Sequence, residues 1–299
     1  MRRRRSSLLS AGLLLTVALT AGHDGAGATQ SVTVIRHSGP TRYATAAEVA
    51  TATYQPAGTP GAVGVRPRQD VIVASGENFP DGLAAAGLAG HLDAPVLLTQ
   101  RDTLPAETAA ALGTLVASRV HVMGGTSAIS QAVRDQISAL GYTLVTNYAG
   151  GNRYDTSARI ATAIGAANVG GLNGKRTAFV VVGTNFADAL ATGAPAFAGR
   201  HPILLTESAS LPPEISLALT TLGIQHVVIV GGTTAVGQGV ADAVTAKGMT
   251  VSRIAGTDRA DTARLLANLT VTAVGSGGFG FPAAGVVPAA KQDSLAGEI

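Results

Sequence analysis

Three arginines, two aspartates and two glycine pairs are the residues whose types and spacing could do chemistry. Arg42, Arg153 and Arg259 each follow a glycine by three residues, in "GPTRYATAA", "GGNRYDTSA" and "GTDRADTAR". Each opens a helix-like stretch, where the helix dipole disfavours a cation. A specific partner is therefore expected, either an internal carboxylate, such as an Asp of the neighbouring motif, or an external phosphate. Asp81 and Asp188 each come after an apolar run, at the start of a helical pattern. They can cap free amides, or bind a cation or sugar hydroxyl at the strand rim, where open α/β sheets take ligands. Gly124-Gly125-Thr126 and Gly231-Gly232-Thr233 follow strand-like runs. Amides converging there on a helix N-terminus would cradle an anion, and the alternative is a tight turn that binds nothing. The phosphate-loop lysine and the G-x-G-x-x-G spacing are both missing.

Other chemistry is excluded or unsupported. The chain has no cysteine, which removes disulfides, thiol catalysis and zinc–thiolate sites. Its six histidines show no i,i+4 pairing, so surface or edge positions are expected, with no metal and no cofactor. No G-x-S-x-G elbow and no defensible pair of carboxylates is present. The sequence offers no catalytic constellation.

The elements that must position these residues are repeated. "ASGENFPDGLAAAGLAGHLDAPVLLT" from Ala74 matches "VVGTNFADALATGAPAFAGRHPILLT" from Val181. Asp81 and Asp188, Pro95 and Pro202, and Gly124 and Gly231 are each 107 residues apart. Within a unit, the pattern predicts a helix over 42–54, a strand at "DVIVA", a helix over 80–90 and a strand at "PVLLT". A helix at "LPAETAAALGTLVA", a strand at "RVHVM", a helix from Gly125 through Leu140 and a strand at "YTLVTNY" follow. Ser38, Thr41, Asn152 and Asp258 read as helix caps, and "GGLNGKR" as a loop with "GSGGFG" as its counterpart. Strands alternating with helices imply tandem three-layer α/β/α repeats with mainly parallel sheets. The units run over 35–148 and 149–253. A partial third, 254–299, carries Asp293 in register with Asp188 but no glycine pair. Such a unit is expected to be truncated, leaving apolar surface and a sheet edge open for self-association.

Residues 1–28 read as a signal peptide, with a basic start, an apolar stretch and Ala26-Gly27-Ala28 before a cut at Thr29. Removing Arg2 to Arg5 and Asp24 from 21 basic and 18 acidic residues leaves 17 of each. The mature chain then has no global field for nucleic acid, and any anion binding must be local. No later segment reads as a membrane span. Apolar residues make up 46% and aromatics 4%, so small aliphatic side chains must carry the packing.

The four recurring motifs "G-x-x-R-Y-x-T-A", "G-x-N-F-x-D-x-L-A", "P-[VI]-L-L-T" and "V-x-x-x-G-G-T-x-A-[IV]" resemble the cell-wall-binding repeat type 2 of Gram-positive bacteria. The resemblance covers Ile35 to the end. It implies three Rossmann- or toprim-like modules in a pseudo-trimer that anchors surface proteins non-covalently to anionic wall polymers. It also marks the paired leucines Leu97, Leu98, Leu204 and Leu205 as family hallmarks, which the bare sequence gives as buried strands. Repetition suits a polymer, because weak sites gain by avidity. The expected function is a secreted, non-catalytic wall-binding protein. The alternatives are a wall hydrolase, or its binding part, and a surface-layer or adhesion protein. Departures are Asn147 where Arg36 and Arg253 precede the glycine, and Ala260 in place of tyrosine.

Overall fold

The apolar runs become strands buried on both faces. The computed structural model describes residues 15–18, 31–34, 36–54, 70–185, 190–272 and 278–280. Strands β1 (Leu15–Ala18) and β2 (Ser31–Val34) form a separate antiparallel ribbon. The first unit then runs α1 (Arg42–Thr53), β3 (Asp70–Ser75), α2 (Phe79–Ala84), α3 (Ala86–Leu92), β4 (Val96–Thr99), α4 (Ala106–Leu115), β5 (Arg119–Val122), α5 (Gln131–Ala139) and β6 (Thr143–Val145). The second unit repeats the order. It runs α6 (Arg153–Ile164), β7 (Gly171–Leu172), β8 (Lys175–Val182), a 3-10 turn at Leu190–Thr192, α7 (Gly193–Gly199), β9 (Ile203–Thr206), α8 (Pro213–Thr221), β10 (His226–Val230), α9 (Gln238–Thr245) and β11 (Thr250–Ile254). Helix α10 (Arg259–Val271) follows, in the position that α1 and α6 hold before their sheets.

Both main sheets have one topology. Strand order is β4-β3-β5-β6 in the first and β9-β8-β10-β11 in the second, with every one of these pairs parallel. The fold is therefore α/β with mainly parallel sheets. The predicted loop "GGLNGKR" is instead a hairpin, with β7 antiparallel to the start of β8. Asn173 and Gly174 both take positive φ, 51° and 77°, which suits the two-residue turn that matches strand twist.

The third layer of a unit is not its own. Val71 and Val73 face α1, α4 and α5, while Ile72 and Ala74 face α2, α3 and α6. Helix α6 belongs to the second unit and also packs on β9 and α8 there. Its Ile160 and Ile164 are 0% and 1% exposed, in a core that holds Ala74 of one sheet and Val180 of the other. Burying such a side chain contributes roughly 1.5–3 kcal/mol, a large share of a typical domain's stability. Helix α10 repeats the arrangement on the second sheet, where Leu266 joins Phe179 and Val181. Each sheet thus borrows a helix from the next unit.

Small residues let the layers close. Gly90 of α3 lies so near α7 that a Cβ would stand 1.9 Å from the Phe197 carbonyl oxygen. Gly113 of α4 has open space around it. Gly90→Ala is therefore expected to destabilise the protein by about 1–3 kcal/mol, as overpacking does. Gly113→Ala is expected to stabilise it by up to about 1 kcal/mol through helix propensity. Denaturant midpoints of the two variants check this pair, and equal shifts of one sign would contradict the close approach of α3 and α7.

Candidate functional site

The repeated motifs meet at the C-terminal rim of each sheet. Gly39, Gly150 and Gly256 each donate an amide hydrogen bond to a threonine hydroxyl, of Thr45, Thr156 and Thr262, at 3.0, 3.1 and 3.0 Å. A Cβ on any of these glycines would strike the first turn of the helix, which is why glycine stands there. Thr41, Asn152 and Asp258 cap α1, α6 and α10 as expected. Ser38 does not cap; its amide donates to Glu48.

The arginine that follows bolts the helix to its own sheet. Arg42 donates to the carbonyl of Gly76, and Arg153 to that of Gly183 at 2.6 Å. The rings of Tyr43 and Tyr154 lie against the same two glycines. Gly76 and Gly183 in turn donate to the Thr99 and Thr206 carbonyls, 2.8 Å each. So the Arg-Tyr motif, the glycine of "G-x-N-F" and the threonine of "LLT" form one lock, built twice. The internal partner of Arg42 and Arg153 is a backbone carbonyl in place of the carboxylate expected. Arg42, Arg153 and Arg259 are exposed, and none enters an ion pair among the described residues.

The glycine pairs differ from expectation. Helices α5 and α9 start at Gln131 and Gln238, six residues beyond Gly125 and Gly232. The interval is a separate turn. Ala128 and Ile129 donate to Gly125, while Ala235 and Val236 donate to Gly232. Thr126 and Thr233 are exposed at the turn tips and cap no helix. Gly124 and Gly231 are buried and take φ of 85° and 116°. Beneath each lies an arginine that the motifs did not reveal as functional. Arg134 Nη2 donates to Gly124 at 2.9 Å, and Arg253 Nη1 to Gly231 at 2.8 Å. The two arginines come from different elements, a helix and a strand. Burial lowers the pKa of both. Arg134 stands on the apolar face of α5 between Val133 and Ile137, so no sequence pattern marks it.

Asp81 fills the cradle of the first unit. The chain leaves β3 and β5 for opposite faces of the sheet, and the crevice between their ends is where doubly wound sheets bind ligands. Asp81 Oδ2 would lie 2.1 Å from a Cβ at Gly124. Asp81 sits in the first turn of α2 but bonds no amide, and the cap position is Asn78. Its carboxyl pKa is raised by burial, against the opposing pull of Arg153 across the α2–α6 contact. The structure therefore brings together Asp81, Gly124, Gly125, Thr126 and Arg153. Gly231, Gly232 and Thr233 make the equivalent turn in the second unit, while Arg42 and Arg259 lie at separate helix starts. Asp188 lies outside the described residues.

Two histidines expected at the surface are buried. His121, 6% exposed, stands 2.7 Å from Asp70 and 2.6 Å from the hydroxyl of Tyr148. Arg119 adds a bidentate pair to Asp70 at 2.7 and 2.8 Å. Burial pushes the Asp70 carboxyl up, but the Arg119 and His121 hydrogen bonds outweigh it and hold it below the ordinary range. Tyr148 is pushed up to about 12, first by burial and then by the charge of Asp70. Asp70, His121 and Tyr148 are buried and bonded to one another, with the exposed Arg119 closing the chain at its outer end. His201 is fully buried, and burial lowers its pKa to about 4. Among the described residues no cluster of three or more His, Asp or Glu could hold a metal. A surface groove between α6 and α8 has about 240 Å³, small for a ligand cleft.

The model of cell wall binding domain 2 (CWB2) matches residues 36–134 and 147–241. The chain belongs to this family. Among curated proteins it is 32% identical over 269 residues to the N-acetylmuramoyl-L-alanine amidase LytC of Bacillus subtilis (strain 168), covering 88% of this chain and 49% of that protein. The amidase enhancer of the same organism is 34% identical over 204 residues, 68% of this chain and 26% of that protein. The chain thus spans half or less of these relatives. Cwp8 from Clostridium difficile superposes with a TM-score of 0.65 at 29% identity, over 78% of this chain and 37% of that one. Cwp6 from the same organism gives 0.66 at 23% identity, over 83% and 38%, a likeness of fold.

For this CWB2 protein, the raised pKa of Asp81 has a definite consequence. Protonation favours the folded state, so the benefit is complete below the unfolded pKa, about 3.9, and is lost as pH rises through the folded value. Asp81→Asn is therefore expected to be the more stable protein at neutral pH, with the advantage shrinking as pH falls towards the unfolded value. Chemical unfolding at several pH values checks this, and a variant less stable at neutral pH would contradict it. Gly124→Ala adds a methyl in the space of that carboxylate and forces a residue to φ near 85°. It is expected to destabilise, and Asp81→Ala in the same chain should return the steric part but not the backbone part.

Proposed function

We propose that this CWB2 protein is secreted and holds non-covalently to an anionic wall polymer, such as a teichoic-acid-like chain, without catalysing a reaction. The observation that supports it best is the duplicated rim. Two units present the same lock in the same sheet position, with the arginine exposed, and α10 presents a third arginine, Arg259. Each bolted arginine uses one guanidinium nitrogen internally and keeps others for a ligand. A single rim is weak. Several rims on one chain raise retention by about 10²–10⁴ when a polymer engages them together. Retention of this kind needs no enclosed cleft.

Secretion would follow cleavage before Thr29, which removes β1 from the ribbon. No helix among the described residues is long and apolar enough to cross a membrane. A second reading is that the chain serves as the binding part of a wall-acting enzyme. It is favoured by the match to an amidase over 88% of this chain but only 49% of the amidase.

Retention on purified cell walls tests the first reading. Walls are compared before and after extraction of their phosphate polymers, at low and high salt. Strong retention is expected only on intact walls, weakened by salt. The triple variant Arg42→Ala, Arg153→Ala and Arg259→Ala is expected to lose most of it. Equal retention on stripped walls would end the anionic-polymer reading. Lysis of walls by the pure protein would end the non-catalytic one.

A further inference from the structure

The two units present opposite charges to one another where α2 packs on α6. Asp81 lies against Gly124 and accepts no hydrogen bond from any described residue. Arg153 spends one nitrogen on the Gly183 carbonyl and is otherwise exposed. Their side chains form no ion pair, although each is within electrostatic reach of the other. Thr126 and Ser127 are exposed at the tip of the adjoining turn. Across the α2–α6 contact stand an acceptor that lacks a donor among the described residues and a donor with N–H groups left over.

We propose that this crevice, bounded by Asp81, Arg153 and the turn at Gly125 and Thr126, binds two neighbouring hydroxyls of a sugar residue. One hydroxyl donates to Asp81 and the other accepts from Arg153. The inference rests on the wall-polymer reading and specifies which part of the polymer this site takes. A phosphate fits poorly, because the Asp81 carboxylate already occupies the space at Gly124 and would repel it. An ammonium group meets the converse obstacle in Arg153. A hydroxyl both donates and accepts, so two on adjacent ring carbons match both walls of a site with no net charge. Hydrogen bonds to charged groups are the stronger kind, so two of them suffice for a weak site that is used together with others. The carboxylate also weakens the fold at neutral pH, a cost typical of residues kept for binding.

Amide NMR of the isotopically labelled full chain tests this, with glucose and N-acetylglucosamine as probes and inorganic phosphate as the competing one. Both sugars are expected to move the amides of Gly124, Gly125, Thr126 and Gly183, and phosphate to leave them in place. Asp81→Asn and Arg153→Gln are each expected to weaken sugar binding by roughly tenfold or more. Asp81→Asn is expected to keep the fold, and a native amide spectrum of the variant separates its loss of binding from unfolding. Shifts from phosphate alone would overturn the proposal in favour of an anion site. No shift from either sugar would overturn it too. In both cases retention on intact and stripped walls reports separately whether the wider wall-binding reading survives.

Discussion

Helix α6 is the constraint on which the rest depends. It closes the inner face of the first sheet and the outer face of the second with one set of side chains, including Ile160 and Ile164. Neither sheet is fully covered without it. The relative placement of the two units is therefore fixed by core packing, at the density of a protein interior, and needs no surface contact. Because Arg153 is the first residue of α6, the same packing holds it at the second unit's rim within electrostatic reach of Asp81 in the first. The surface proposed to bind between units is thereby positioned by a hydrophobic requirement.

The lock at the rim separates structural from functional residues. Gly76, Gly183, Thr99, Thr206 and the two tyrosines are accounted for by backbone geometry and packing. Their recurrence needs no ligand. The arginines are partly accounted for, since each completes one bond to a carbonyl, yet each stays exposed. Asp81 is different. It caps nothing and pairs with nothing among the described residues, and its burial favours the neutral form. A residue that opposes the fold while sitting at a topological switch point is the clearest pointer to function in the chain.

Much of this was legible in the sequence. Period, the succession of helices and strands within a unit and three of the caps follow from spacing and side-chain type. The lock was not, because it joins Arg42 to Gly76 across residues with no mutual pattern, and a backbone carbonyl leaves no trace in sequence. The glycine pairs misled for a related reason. A strand, two glycines and a helical pattern read as a single strand-to-helix turn, whereas hydrogen bonds to Gly125 and Gly232 close a short turn first, and each helix starts only at Gln131 or Gln238. The histidines misled because polarity predicts exposure, yet His121 is buried once Asp70 and Tyr148 satisfy both ring nitrogens.

The two copies diverge where the sequence is free to do so. Asp70 and His121 become Thr177 and Val228 at 107 residues on, and Ile254 precedes Gly256 where Tyr148 precedes Gly150, so a buried polar chain in one unit is replaced by small and apolar groups in the other. A network of this kind is costly if half satisfied and tolerable only when complete, so its members must be kept or replaced together. Even the job beneath the glycine turns has changed hands, from Arg134 on a helix to Arg253 on a strand. The Arg-Tyr bolts, their glycines and the glycine pairs did not change. Interiors can exchange one solution for another of equal volume and satisfaction, whereas the rim carries the same atoms to the same place in both units. The lock's glycines and tyrosines are kept because its backbone bonds and close contacts admit fewer substitutes than apolar packing does.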